Sequence, residues 1–286
     1  MFLELKRTER TIYIKMKRNI IILIVCIASF SGFTQPATNS YGSNPEAGNY
    51  ADVNGIKVYH EIYGSGLPLL ILHGNGGSIR SQSPNIDYFK ASYKVIAPDL
   101  RAHGKTEDPG DSLTYNDMTK DINDLLDKLG IDSCFVLGQS DGGIIGLKLA
   151  MDYPKKVKKV AVYGANIQPD STAIQNALIE WGYNIIETTK DMHQKRLYTL
   201  MKYQPRIEAS KLRTIKAPVL LMSGDRDAIK LQHTIEIFKN IENSNLFIMP
   251  GATHFGGYEK ADLFHNVVND FFTKPFSKIS TLDYFK

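Results

Sequence analysis

From Tyr50 onward, short apolar runs alternate with longer stretches whose apolar residues recur every three or four positions. The short runs occupy residues 69–72, 93–98, 134–137, 157–163, 218–222 and 246–249, and most are apolar almost throughout. Runs of this length without polar alternation predict strands buried on both faces. In the longer stretches, Met118, Ile122, Leu125, Leu126 and Leu129 fall at offsets 0, 4, 7, 8 and 11. That spacing makes one helical stripe, and Gly130 closes it. Residues 144–150, 229–241 and 258–272 also read as helices. Strand and helix in alternation predict an α/β fold, a mostly parallel sheet with helices on both faces. Asn54-Gly55 lies between residues 50–53 and 56–63 and predicts an antiparallel hairpin at one edge of the sheet.

The alternation stops between the runs at 157–163 and 218–222. Residues 168–213 contain no strand pattern and read as mostly helical, with a break at Gly182 and a stop near Pro205. A helical cap inserted before the last two strands would lie over the strand ends, where open α/β sheets bind ligands. It holds the single tryptophan, Trp181, with Tyr183, Tyr198 and Tyr203. These aromatics either pack the cap on the body or line a substrate site, and Trp181 is the candidate substrate contact.

The two ends read differently. The basic patch at residues 16–18 precedes about eleven apolar residues, 20–30, and then small and polar ones. This predicts a secretory signal peptide over residues 1–34, with Met16 as a second candidate start, and hence an exported protein, periplasmic or secreted. The apolar run is short for a bilayer span, so no stable membrane span is expected once the leader is removed. Residues 35–48, rich in Pro, Gly, Ser and Asn, predict a flexible linker, and residues 275–286 a C-terminal tail. Charge agrees with removal of the leader. Residues 1–18 carry six Lys/Arg against two Glu, which equals the +4 of the whole chain and leaves the remainder neutral. The basic balance therefore indicates no nucleic-acid-binding face. Of the two cysteines, Cys26 lies in the leader and Cys134 in a buried strand, so no disulfide is expected.

The candidate chemistry sits at strand ends. After the run at 134–137 comes Gly138-Gln139-Ser140-Asp141-Gly142, then a helix. Glycines at the tight positions let Ser140 sit on a strained elbow beside the first amides of that helix, which can stabilise an oxyanion. A serine hydroxyl needs a base, and the base needs an acid to orient it. Two carboxylates, Asp225 and Asp227, follow the run at 218–222, and His254 follows the run at 246–249. The chain order Ser, Asp, His is that of α/β-hydrolases. His73 and His103 read as structural hydrogen-bonding residues, and Cys134 as a small core residue. No His-x-x-x-His or Cys-x-x-Cys spacing occurs, and Gly74-Asn75-Gly76-Gly77 lacks the pattern of a phosphate or dinucleotide loop. Neither metal nor cofactor is expected.

Together, H-G-N-G-G-S, P-D-L-R-A-H-G, G-Q-S-D-G-G, G-D-R-D and G-A-T-H resemble the motifs of the α/β-hydrolase family over residues 49–274. The resemblance implies Ser140 as nucleophile, Asp227 as acid and His254 as base. It implies an oxyanion hole from the backbone N–H groups of Asn75 and Asp141. Ala102 departs from the glycine usual in the second motif, which bears on the local turn. The stretch from G-Q-S-D-G-G-I through D-Y-P-K-K-V-K-K-V-A-V-Y-G-A-N is similar to the biphenyl hydrolase-like branch, which includes amino-acid ester hydrolases. The implied activity is a serine hydrolase, carboxylesterase-like, acting on a small-molecule ester through an acyl-enzyme. Amides, thioesters and carbon–carbon bonds are alternatives on the same triad, and a binding or sensing protein of the same fold is the non-catalytic one. An acidic side chain at Asp141, beside developing negative charge, calls for an offset: a local hydrogen bond, an arginine, or a cationic group on the substrate.

Overall fold

The computed structural model describes residues 40–285. The expected signal peptide and the first part of the expected linker lie outside these residues. Eight strands form one sheet in the order β1-β2-β4-β3-β5-β6-β7-β8. β1 (Gly48–Val53) and β2 (Ile56–Tyr63) make the antiparallel edge hairpin, with Asn54 and Gly55 both at positive φ in its turn. β2 pairs antiparallel with β4 (Tyr93–Pro98). From β4 inward, β3 (Leu67–Leu72), β5 (Cys134–Gln139), β6 (Val157–Tyr163), β7 (Val219–Gly224) and β8 (Ser244–Met249) are all parallel.

The apolar strands are explained by two cores. Leu70, Leu72 and Val136 face one side of the sheet, and Leu69, Ile71, Phe135 and Leu137 face the other. On the first side lie Met118, Ile122 and Leu126 of a helix that follows β4, α2 (Tyr115–Lys128), and the apolar residues of α3 (Asp141–Asp152). On the second lie Ile86 and Phe89 of the short α1 (Ser83–Phe89). Thr114 caps α2 by accepting from Asp117 N at 3.0 Å, worth about 1 kcal/mol. Gly130 at φ 66 ends it.

The cap between β6 and β7 holds two helices, α4 (Asn176–Thr188) and α5 (Met192–Tyr203). The break expected at Gly182 is absent, because α4 runs through it. A Cβ at Gly182 would lie 3.7 Å from the Tyr198 ring, an ordinary contact, so the glycine faces α5 within a continuous helix. The break falls instead before Asp191, whose carboxylate accepts from the backbone N–H of His193 and Gln194. After β7 comes α6 (Leu231–Asn240). The helix expected at 258–272 is two elements, α7 (Gly256–Glu259) and α8 (Ala261–Thr273), interrupted at the non-helical Lys260. Phe264, Val268 and Phe272 of α8 complete the second core.

Residues 40–48, expected to belong to a flexible linker, are bound to the sheet. The buried Glu61 carboxylate of β2 accepts from Gly42 N (2.8 Å), Asn44 N (2.9 Å), Tyr59 Oη (2.8 Å) and Tyr63 Oη (2.7 Å). A carboxylate inside the protein must be satisfied, and this segment supplies half of its donors.

Candidate active site

Ser140 is the first residue after β5 and has φ 52, ψ −118, a strained conformation for a non-glycine residue. The turn closes only because its neighbours lack side chains. A Cβ on Gly138 would lie 2.2 Å from Gly142 O, and one on Gly142 would lie 2.3 Å from Leu72 O. Ser140 N donates to Tyr163 O at 2.9 Å and Ile144 N donates to Ser140 O at 3.0 Å, which ties the elbow to β6 and to α3. Asp141 opens α3, so its N–H is among the helix donors without an intrahelical partner.

Asp227 and His254 meet at the ends of β7 and β8. His254 Nδ1 lies 2.7 Å from Asp227 Oδ1. Ile229 N donates to the same oxygen at 2.9 Å, while Ser223 Oγ (3.1 Å) and Gly224 N (3.2 Å) donate to Oδ2. Burial works to raise the Asp227 pKa, but the His254 hydrogen bond and charge, with the Ile229 and Gly224 amides, outweigh it and hold the carboxyl below its usual range. Asp225 is exposed, and among the described residues the carboxylate that bonds His254 is that of Asp227. Gly164, which sequence reasoning missed, makes the room. A Cβ there would lie 2.7 Å from His254 Cε1 and 2.8 Å from Nδ1. Its signal was a glycine ending an apolar strand. Gln139 Nε2 donates to His254 O at 3.3 Å and Tyr163 Oη to Thr253 O at 2.5 Å, which fixes the histidine loop to the neighbouring strand ends. The Ser140 hydroxyl makes no hydrogen bond among the described residues. Such contacts in hydrolases often tighten only with substrate bound.

The loop after β3 reaches the elbow from the other side. A Cβ on Gly74 would lie 3.1 Å from Ser140 Cβ. His73 and His103 are structural, as expected. His73 Nδ1–H donates to Gly74 O (2.7 Å) and Nε2 accepts from Leu100 N (3.0 Å). His103 Nδ1–H donates to Arg101 O (2.9 Å) and Nε2 accepts from Gly76 N (3.0 Å). Both rings are buried and neutral. Burial pushes His73 down to about 3, and His103 down to about 4. Ala102, in the place of the usual glycine, holds φ 61, so the turn keeps its left-handed form with an alanine.

Asp141 is buried, and its side chain finds neutral partners rather than an arginine. Asn75 Nδ2 donates to Oδ2 at 3.0 Å, and the Tyr115 hydroxyl also hydrogen-bonds the carboxylate. Burial raises the Asp141 pKa, and these two hydrogen bonds and the nearby His254 only partly counter it. Trp181 is half-buried with its ring edge-on to Tyr198, centroids 5.4 Å apart, a contact within the cap itself. Cys134 is buried and pushed up to about 12 by that burial. Among the described residues there is no cluster of His, Cys, Asp and Glu arranged to hold a metal. None of the described helices is long and apolar enough to cross a membrane.

A mostly parallel eight-stranded sheet, a strained serine elbow after β5, and an acid–histidine pair after β7 and β8 define the α/β-hydrolase fold. The chain has this fold, and the family model described as alpha/beta hydrolase fold matches its residues 68–185. It is similar to a putative carbamate hydrolase of Azorhizobium caulinodans, 31% identical over 40% of this chain and 43% of that one. It is similar to a 2-hydroxymuconate semialdehyde hydrolase of a Pseudomonas strain, 32% identical over 51% of this chain and 53% of the relative. These alignments thus span about half the length of those relatives. The human serine hydrolase BPHL is 26% identical over 77% of this chain and 84% of its own. Among solved structures, an alpha/beta hydrolase enzyme from a Medee basin deep-sea metagenome matches with TM-score 0.72 and 20% identity over 81% of this chain and 100% of that chain. That likeness concerns the fold.

Proposed function

We propose that this hydrolase cleaves small esters through an acyl-enzyme on Ser140. The observation that supports this best is the 2.7 Å contact of His254 Nδ1 with the buried Asp227, set on strand ends beside the strained Ser140 elbow. Asp227 keeps the proton on Nδ1, so Nε2 is free to take the Ser140 proton as the hydroxyl attacks the ester carbonyl. The negative charge of the tetrahedral intermediate develops between the backbone N–H groups of Asn75 and Asp141. His254 then protonates the leaving alcohol and afterwards activates the water that releases the acid. The test is pre-steady-state hydrolysis of aryl esters of increasing acyl length. A burst equal to the enzyme concentration, abolished in Ser140→Ala, is expected. Turnover that survives Ser140→Ala sinks the reading.

Asp141 favours a narrower substrate class. It is a buried carboxylate beside the nucleophile, and its partners carry no positive charge. An ammonium group on the substrate would supply that charge, in line with the resemblance to amino-acid ester hydrolases. An α-amino ester is then preferred over the same ester without its amine by about 10–100-fold in kcat/KM, since a charge-assisted contact contributes roughly 1.5–3 kcal/mol. Asp141→Asn removes that preference. An unchanged ratio in the mutant takes Asp141 out of substrate recognition. We propose export as well, on the leader pattern of residues 1–34.

A further inference from the structure

The loop that carries Asn75 is held at three consecutive residues, and only the middle anchorage reaches the cap. Gly74 O is fixed by His73 and Gly76 N by His103. Asn75, between them, is fixed through its own side chain. Its Nδ2 donates to Asp141 Oδ2 at 3.0 Å and to Leu197 O at 3.4 Å. An amide NH2 has two hydrogens, and both are used. The two acceptors belong to different parts of the molecule. Asp141 is the residue directly after the nucleophile, whereas Leu197 lies in the middle of cap helix α5.

The same turn of α5 is anchored to the body by its neighbour. Arg196 pairs through Nη2 with the Asp108 carboxylate, and also donates to Asp108 O and to Ser112 O, both at 3.0 Å. Asp108 in turn accepts from Arg101 Nη1 (3.2 Å), and Arg101 grips Asp121 of α2 through Nε and Nη2, both at 2.7 Å. These charges are largely buried, with the Asp108 and Asp121 side chains 3% and 2% exposed. Buried, multiply bonded ion pairs fix geometry far better than exposed ones. The position of α5, and with it the Leu197 carbonyl offered to Asn75, is therefore set by Arg196.

We infer that Asn75 is a positioning residue whose side-chain amide couples the seat of cap helix α5 to the placement of its own backbone N–H beside Ser140. The inference rests on the proposed function, which gives that N–H to the oxyanion hole. With α5 seated, the Asn75 side chain is held from both sides and the N–H is aimed. With α5 displaced, only the Asp141 contact remains and the loop gains freedom between its two histidine anchors. Substrates that disturb the cap then lose kcat more than KM, because the hole acts on the transition state.

The experiment is a double-mutant cycle on a small aryl ester with Asn75→Ala, Arg196→Gln and the pair, reading kcat and KM separately and checking the fold by thermal melting. Asn75→Ala is expected to lower kcat by about 10–100-fold with KM within about threefold, less than the loss of an oxyanion donor itself. Arg196→Gln is expected to lower kcat by about 3–10-fold and to add nothing further in the Asn75→Ala background, since both act through one contact. An unchanged kcat in Asn75→Ala, or losses that multiply in the double mutant, overturns the inference. If Asn75→Ala does not fold, a KM effect without a kcat effect in Arg196→Gln overturns it instead. Ser140→Ala is run alongside. Turnover that requires Ser140 and ignores Asn75 defeats this inference alone, whereas turnover without Ser140 defeats the proposed function and this inference with it.

Discussion

Replacing Asp227 by asparagine tests the proposed acid, and the structure sets the size of the effect. Both carboxylate oxygens already accept from backbone amides, Oδ1 from Ile229 N at 2.9 Å and Oδ2 from Gly224 N at 3.2 Å. An asparagine NH2 must therefore face a backbone N–H in either orientation. With the amide oxygen kept on His254, the NH2 opposes Gly224 N, the tautomer survives and only the negative charge is lost. A charge-assisted bond contributes about 1.5–3 kcal/mol, so the loss is about 10–100-fold. With the NH2 on His254, it opposes Ile229 N and the imidazole must accept at Nδ1. Its proton then sits on Nε2, the base is lost, and kcat falls by about 10⁴. Asp227→Asn is thus expected to lower kcat by about 10 to 10⁴, according to which orientation the amide takes, with little change in KM. Asp225→Asn, altering an exposed side chain away from His254, is expected to stay within about threefold of wild type. Steady-state kinetics on one activated ester, with circular dichroism to confirm folding, make the comparison. Equal losses in the two mutants, or near-wild-type activity in Asp227→Asn, refute the assignment.

Three further outcomes are expected. Gly138→Ala drives a Cβ to 2.2 Å from Gly142 O, a backbone atom with nowhere to move, so it should cost about 2–4 kcal/mol in a urea melt, and a wild-type midpoint would contradict the packing of the elbow. His73 and His103 have folded-state pKa values lowered from 6.5 to about 3 and about 4, so the unfolded chain binds protons first as pH falls. Their stabilisation is complete above about 6.5 and is lost towards about 4, at roughly 1.4 kcal/mol per pH unit for each histidine, and urea midpoints that stay flat from pH 7 to 4 would refute it. A chain beginning at Gln35 keeps the Glu61 contacts of residues 42 and 44 and should be soluble and fully active, whereas finding the full-length protein in membranes with residues 1–30 still attached would make that segment an anchor and defeat the proposal that it is cleaved.

What the sequence makes legible follows the range of the forces involved. Strands buried on both faces write their burial into consecutive apolar residues, so residues 93–98 and 157–163 read with the boundaries observed for β4 and β6. β5 extends to Gln139, past the last apolar residue, because backbone pairing with β6 continues where side-chain burial ends. α1 left no readable period. In its seven residues only Ile86 and Phe89 supply buried apolar side chains, too few to set one. Gly182 misleads because glycine is a poor helix former in isolation, yet a single glycine is tolerated within the 13 residues of α4. The composition of residues 35–48 suggested a linker, but the Glu61 carboxylate that holds residues 42 and 44 lies on β2 and is invisible to local composition. The site divides in the same way. Ser140, Asp227 and His254 were readable because each sits in a local strand-end motif. The Asn75 side chain was not, because its acceptors lie 66 and 122 residues away in the chain.

The central claim, a serine nucleophile activated by the Asp227–His254 pair, is tested most directly by the mass of the protein after exposure to a fluorophosphonate. Peptide mapping is predicted to place one phosphonyl group on Ser140 in the wild type. Ser140→Ala should take up none, and His254→Ala should be labelled at least about 10²-fold more slowly, the size of general-base assistance. A folded wild type that takes up no label, or one labelled elsewhere than Ser140, would contradict the account.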